Sequence, residues 1–126
     1  MKCEKCGQEV KETQELKFTK YPEFGIEVSQ IIDWDKPYNE IQIPNGCRLP
    51  EVWELWRLLE SEYSDKFLGK YRGEYSWFWC KQTKYAKENN RSSGLYLHWG
   101  SYLGSACEDL ADSDSDGRCV FVRDLK

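Results

Sequence analysis

Residues 47–59 read Cys47-Arg48-Leu49-Pro50-Glu51-Val52-Trp53-Glu54-Leu55-Trp56-Arg57-Leu58-Leu59. Val52, Leu55, Trp56 and Leu59 recur at i, i+3, i+4 and i+7, the spacing of one helix face. Pro50 suits the first helical position, because the N–H it lacks would be unpaired there anyway. Glu51 and Glu54 fall in the first turn, where the helix dipole favours negative charge. The spacing predicts a helix that begins at Pro50, docks through Val52, Leu55, Trp56 and Leu59, and ends between Ser61 and Asp65. Gly69 and Gly73 then mark a loop.

On the N-terminal side, residues 16–18, 24–32 and 40–43 have strand composition, with Phe24, Ile26 and Val28 alternating. Tyr21-Pro22 and the loop 33–39 separate them, and Pro44-Asn45-Gly46 closes the series as a turn. On the C-terminal side, residues 75–80, 95–99 and 119–122 are apolar on both alternating faces, as expected of strands covered on both sides. Residues 81–93 and 104–118, rich in Asn, Ser, Asp and Gly, read as the loops between them.

Cys47-Arg-Leu-Pro-Glu-Val-Trp-Glu-Leu55 resembles the Arg-Leu-Pro-Thr segment leading into the helix of bacterial C-type lectin-like domains, among them relatives of the formylglycine-generating enzyme. Later segments follow in that family's order. Residues 75–80 stand where it has a Tyr-Trp-Ser-Ser strand, residues 95–99 form the next aromatic strand, and Arg118-Cys-Val-Phe-Val-Arg123 stands where it closes on Arg-Cys-Val-Arg. The resemblance spans residues 45–125. Cys47 departs from the usual Trp, Glu51 from Thr and Cys80 from Ser. It implies an α+β, C-type lectin-like fold, with one main helix packed on a mixed or antiparallel sheet with long loops. Residues 16–126 would form that single domain behind a polar segment, 1–15. Recognition would fall to the loops 81–93 and 104–118, and because such folds host many functions the resemblance speaks to architecture more than activity.

A chain of 126 residues has the length of one domain, and 40% hydrophobic with 15% aromatic residues is ample for a packed core. With 18 basic and 22 acidic residues, the net charge of −4 offers no general attraction to a phosphate backbone, so nucleic acid is not expected as the main partner. Residues 1–10 carry no apolar stretch and no run approaches a membrane span, which predicts a cytoplasmic protein without a membrane partner. In a reducing compartment the six cysteines read as metal ligands or small buried hydrophobes.

Cys3-Glu-Lys-Cys6-Gly7 has zinc-knuckle spacing, two thiolates on one tight turn. Structural zinc needs four ligands, and no second pair of this kind exists. The others would come from Cys47, Cys80, Cys107, Cys119 or His98, or from a second subunit. Zinc held by Cys3 and Cys6 is therefore the candidate cofactor, against the alternative of a tail with two free thiols. Asp112-Ser-Asp114-Ser-Asp116-Gly117 reproduces the first half of a calcium loop, but Arg123 stands where the bidentate Glu belongs. Calcium is not expected, and Asp112, Asp114 and Asp116 read as a solvated acidic turn available for binding. Trp34 and Tyr38 lie in the polar loop Asp33-Trp-Asp-Lys-Pro-Tyr38, either as exposed interface anchors or as the packing side of a returning loop.

Catalytic signatures are sparse. His98, the one histidine, lies in an aromatic strand and reads as a packed residue before a general base. Cys107 and Cys119 could serve a Cys-dependent enzyme, but they lack the aromatic and Gly-Gly surroundings of the formylglycine-generating relatives. The expectation is a non-enzymatic recognition module that contacts a protein partner or, second, a small polar ligand. A phage-borne inhibitor of a host defence complex (anti-CRISPR-like), placing an acidic surface on a basic site, suits the same length and charge.

Overall fold

The helix starts two residues beyond Pro50. In the computed structural model, which describes residues 15–98 and 102–125, α1 spans Val52–Glu60 with Glu51 as its N-cap. Glu54 accepts from the Glu51 N–H at 2.9 Å, which takes up a donor the helix leaves unpaired. Arg48 fixes that carboxylate with both arms of its guanidinium, at 2.7 and 2.8 Å, and bonds Asp124 at 2.8 Å. Because the cap uses the N–H of residue 51, Pro50 precedes the helix instead of opening it. Leu55, Leu58 and Leu59 are buried, each contributing about 2 kcal/mol by leaving water. Val52 and Trp56 pack at the margin, while Trp53, off this face, is 57% exposed rather than in the core.

In chain order the strands among the described residues are β1 (Phe18–Tyr21), β2 (Ile26–Ser29), β3 (Ile32–Asp33), β4 (Ser76–Cys80), β5 (Arg91–His98), β6 (Tyr102–Asp109), β7 (Gly117–Cys119) and β8 (Val122–Asp124). Two short helices, α2 (Ser64–Leu68) and α3 (Lys84–Glu88), complete an α+β arrangement. One sheet is antiparallel, in the order β1-β2-β8. The other is mixed, in the order β3-β7-β4-β5-β6, with β4 and β7 parallel. Ile26, Val28 and Val122 of the small sheet meet Phe78, Leu95 and Leu97 of the large one and the leucines of α1 in one cluster. β4 is buried along its whole length, as its apolar run requires.

Several sequence expectations are corrected. The run 119–122 is not one strand: β7 belongs to the large sheet and β8 to the small one, and the chain crosses between them at Val120 and Phe121. Ser29 holds the crossing, its N–H donating to the Phe121 carbonyl at 2.9 Å and its hydroxyl accepting from Phe121 N at 2.9 Å. Residues 104–118 are not all loop, because β6 pairs with β5 through eight residues. Residues 81–93 contain α3, capped by the Thr83 hydroxyl, and the start of β5. Residues 40–43 form no strand: Ile41 packs on Leu49, Cys119 and Phe121, while Ile43 is exposed. Phe24 ends a 3-10 turn, and β1 starts at Phe18 instead of Leu16.

The Arg48 network gives the fold a pH dependence. Burial works to raise the Glu54 carboxyl, but hydrogen bonds from Arg48 and from Glu51 outweigh it and hold the group below its ordinary value. The Arg48 hydrogen bond likewise holds Asp124 down. A carboxylate depressed in the folded state stabilises above its unfolded pKa and loses that contribution as pH falls through the folded one. Thermal melts should therefore hold steady from neutrality to about pH 5 and decline below about pH 4. Arg48→Met should make that decline shallower. No helix among the described residues is long and apolar enough to cross a membrane.

Candidate binding surface

The loop expected at 33–39, which runs on to residue 40, and the acidic end of the expected loop 104–118, residues 110–117, lie side by side. Trp34 N donates to the Gly117 carbonyl at 2.9 Å and Asn39 N to the Leu110 carbonyl at 3.3 Å. Gly117 permits this closeness. A Cβ built on it would fall well inside contact distance of the Trp34 carbonyl oxygen, 2.9 Å from that of Asp114 and 3.1 Å from Trp79 Nε1. Glycine is needed here because two backbones and an indole converge on one point.

Trp34 and Tyr38 act mainly as the packing side of the first loop. Both are half-buried against Leu49, Cys119 and Phe121. The Trp34 indole donates to the Pro37 carbonyl at 3.2 Å, and its own carbonyl accepts from the fully buried Trp79 indole at 3.3 Å. The Tyr38 ring lies 6.3 Å from that of Trp79. Asp114 shapes the second loop, its carboxylate accepting from Asp116 N at 2.8 Å and its carbonyl from Gly117 N at 2.9 Å. Asp112 is exposed, and Asp114 and Asp116 are half-buried.

Two hollows flank the paired loops. One, about 790 Å³, is walled by Trp34, Ile32, Ile41 and Phe121, with Lys36 Nζ 5.3 Å from the Trp34 ring centre. The other, about 510 Å³, lies under Asp33, Asp35, Glu74 and Ser115, with Arg118 among its lining residues. The Arg118 guanidinium is buried over the Tyr71 ring, 4.5 Å from its centre. It donates to the Gly117 carbonyl at 3.2 Å and pairs loosely with Asp33 at 3.5 Å and Glu74 at 3.7 Å. Tyr71 donates to Asp33 at 2.8 Å; burial first, then this bond, push its phenol up. Arg118 was not among the site residues expected from the sequence. The signal was a charge inside the apolar run Gly117-Arg-Cys-Val-Phe121, which a buried strand tolerates only when the charge is partnered.

Cys3 and Cys6 lie outside the described residues. Among the described residues, no group of three or more His, Cys, Asp or Glu side chains is placed to hold a metal ion. Burial pushes the Cys119 thiol up to about 12 and raises Cys80 further. Cys107 and Cys119 stand on β6 and β7, with β4 and β5 between them, a separation of about 14 Å at the usual strand spacing. They cannot act as a dithiol pair, which needs Cα atoms within about 7 Å. The chain matches no family model, no curated protein and no solved structure.

Proposed function

We propose that the protein is a non-enzymatic recognition module that contacts a protein partner through the paired loops 33–40 and 110–117. The observation that carries this reading is their backbone pairing over Gly117, which turns two polar segments into one pre-shaped surface. Ordering both loops before binding lowers the entropic cost of association. Asp33, Asp35 and Asp112 lie exposed along that surface, which suits a partner with basic groups. The buried Cys119 thiol, held protonated at neutral pH, is a poor nucleophile, in keeping with a binding role.

The scaffold belongs to the C-type lectin-like kind in this reading. Support comes from the placement of the motifs: Arg48-Leu-Pro leads into α1, residues 76–80 form β4, residues 95–98 lie in β5, and Arg118 to Arg123 span β7 and β8. The same acidic surface also suits a small inhibitor that occupies a basic site on its target.

The test is affinity capture from native lysate with wild-type protein and charge-reversed variants. Asp35→Lys and Asp112→Lys should each weaken retention of the captured partner roughly tenfold. Glu88→Lys, at an exposed position of α3, should leave it unchanged. Equal retention by all three variants would overturn the proposal.

A further inference from the structure

The face of the large sheet that the paired loops cover over Trp79 continues outward as a row of rings. Tyr75 stands beside His98, with centroids 4.7 Å apart, and His98 beside Tyr102 at 6.1 Å. Tyr96 completes the group, 5.5 Å from His98 and 6.1 Å from Tyr102. Strand register puts them there: His98 pairs with Tyr102, and Tyr96 pairs with Gly104, where a Cβ would collide with the Tyr96 ring. The opposite faces of these strands send Phe78, Leu95 and Leu97 into the core. Tyr102 is 61% exposed, and Tyr75, Tyr96 and His98 are half-buried.

Carboxylates border this row. Burial and then the charges of Asp114, Asp116 and Glu108 push the Tyr75 phenol up. Glu108 is itself raised, by burial and then by Asp114 and Asp112. Aromatic faces carry negative potential, and adjacent carboxylates reinforce it, so the patch attracts cations and repels anions.

Resting on the reading of the protein as a partner-binding module, we infer that the rings of Tyr75, Tyr96, His98 and Tyr102 receive an arginine or lysine side chain from a basic segment of that partner. The segment would lie along the acidic loop 110–116, with its cation over the Tyr102 face. Charge selects this occupant over an acidic or purely apolar one.

The probe is a short fluorescent oligo-arginine peptide, titrated against the full chain by anisotropy at fixed salt. Tyr102→Leu should weaken binding about fivefold, while Tyr102→Phe, which keeps the ring, should bind as wild type does. Tyr102 is exposed, and a circular-dichroism melt of both variants checks that each is fully folded at the temperature of the titration. Unchanged binding by Tyr102→Leu while Asp112→Asn binds less tightly would overturn the ring contact and leave the loop surface standing. An equal loss in Tyr102→Leu and Tyr102→Phe would assign the effect to the hydroxyl and overturn the inference as well. Failure of wild type to bind the peptide would also overturn it, leaving the capture experiment to decide the loop surface separately.

Discussion

Gly117→Ala is expected to destabilise the fold by about 3 kcal/mol, at the upper end for adding a methyl group to a packed site, and to abolish partner capture. The added Cβ would collide with the Trp34 carbonyl and crowd that of Asp114 and the Trp79 indole. Neither backbone can retreat cheaply. Trp34 N is bonded to Gly117 itself, and Asp114 both closes onto Gly117 N and accepts from Asp116. Trp79 is fully buried and cannot turn aside. Relief requires the loops to part, so stability and binding should fall together. Urea unfolding would show a lower midpoint with an unchanged slope, and a midpoint within experimental error of wild type would show that the loops do not meet at Gly117.

Arg48→Met should cost about 3 kcal/mol, the lower end for breaking a buried ion pair, because Arg48 is partly exposed. Removing the guanidinium strands the Glu54 carboxylate at 9% exposure, with the Glu51 N–H as its remaining partner. The variant also unties the α1 cap from Asp124 at the end of β8, although the backbone bonds between Arg48 and Val122 remain. Adding Glu54→Gln should recover part of the loss, since the amide oxygen can still cap the helix without burying a charge. If the double variant is no more stable than the single one, an unpaired Glu54 charge is not what destabilises Arg48→Met.

The features legible in the sequence were those set locally. Helix α1 announced itself through a 3.6-residue period, and β4 through the four consecutive apolar residues Trp77 to Cys80, which leave no face for water. Features set by distant partners were not legible. Gly104-Ser105-Ala106 has little strand propensity, and it becomes β6 because β5 lies alongside and Tyr96 covers Gly104. The run 119–122 gives no sign that it changes sheets at Phe121, since both halves are equally apolar.

The candidate site divides in the same way. Composition marked Trp34, Tyr38 and the aspartates as loop residues. Only the tertiary fold joins the two loops, and it turns the aromatic side of the first inward onto Trp79. Gly117 was visible as a turn residue, yet its main part is to let Trp34 and Trp79 approach. Arg118 was hidden within a strand motif, although a lone charge in an apolar run is a local signal that could have been used.

Loops 33–40 and 110–117 are proposed to act as one surface toward one partner. Site-specific photocrosslinking addresses this directly, with a benzophenone side chain placed in turn at Asp35, at Ser113 and, as a control, at Tyr85 on α3, all exposed. Asp35 and Ser113 should crosslink to the same partner, and Tyr85 should not. Crosslinking at Tyr85 with none at either loop position, different partners at the two loops, or no crosslink at any position would contradict the proposal.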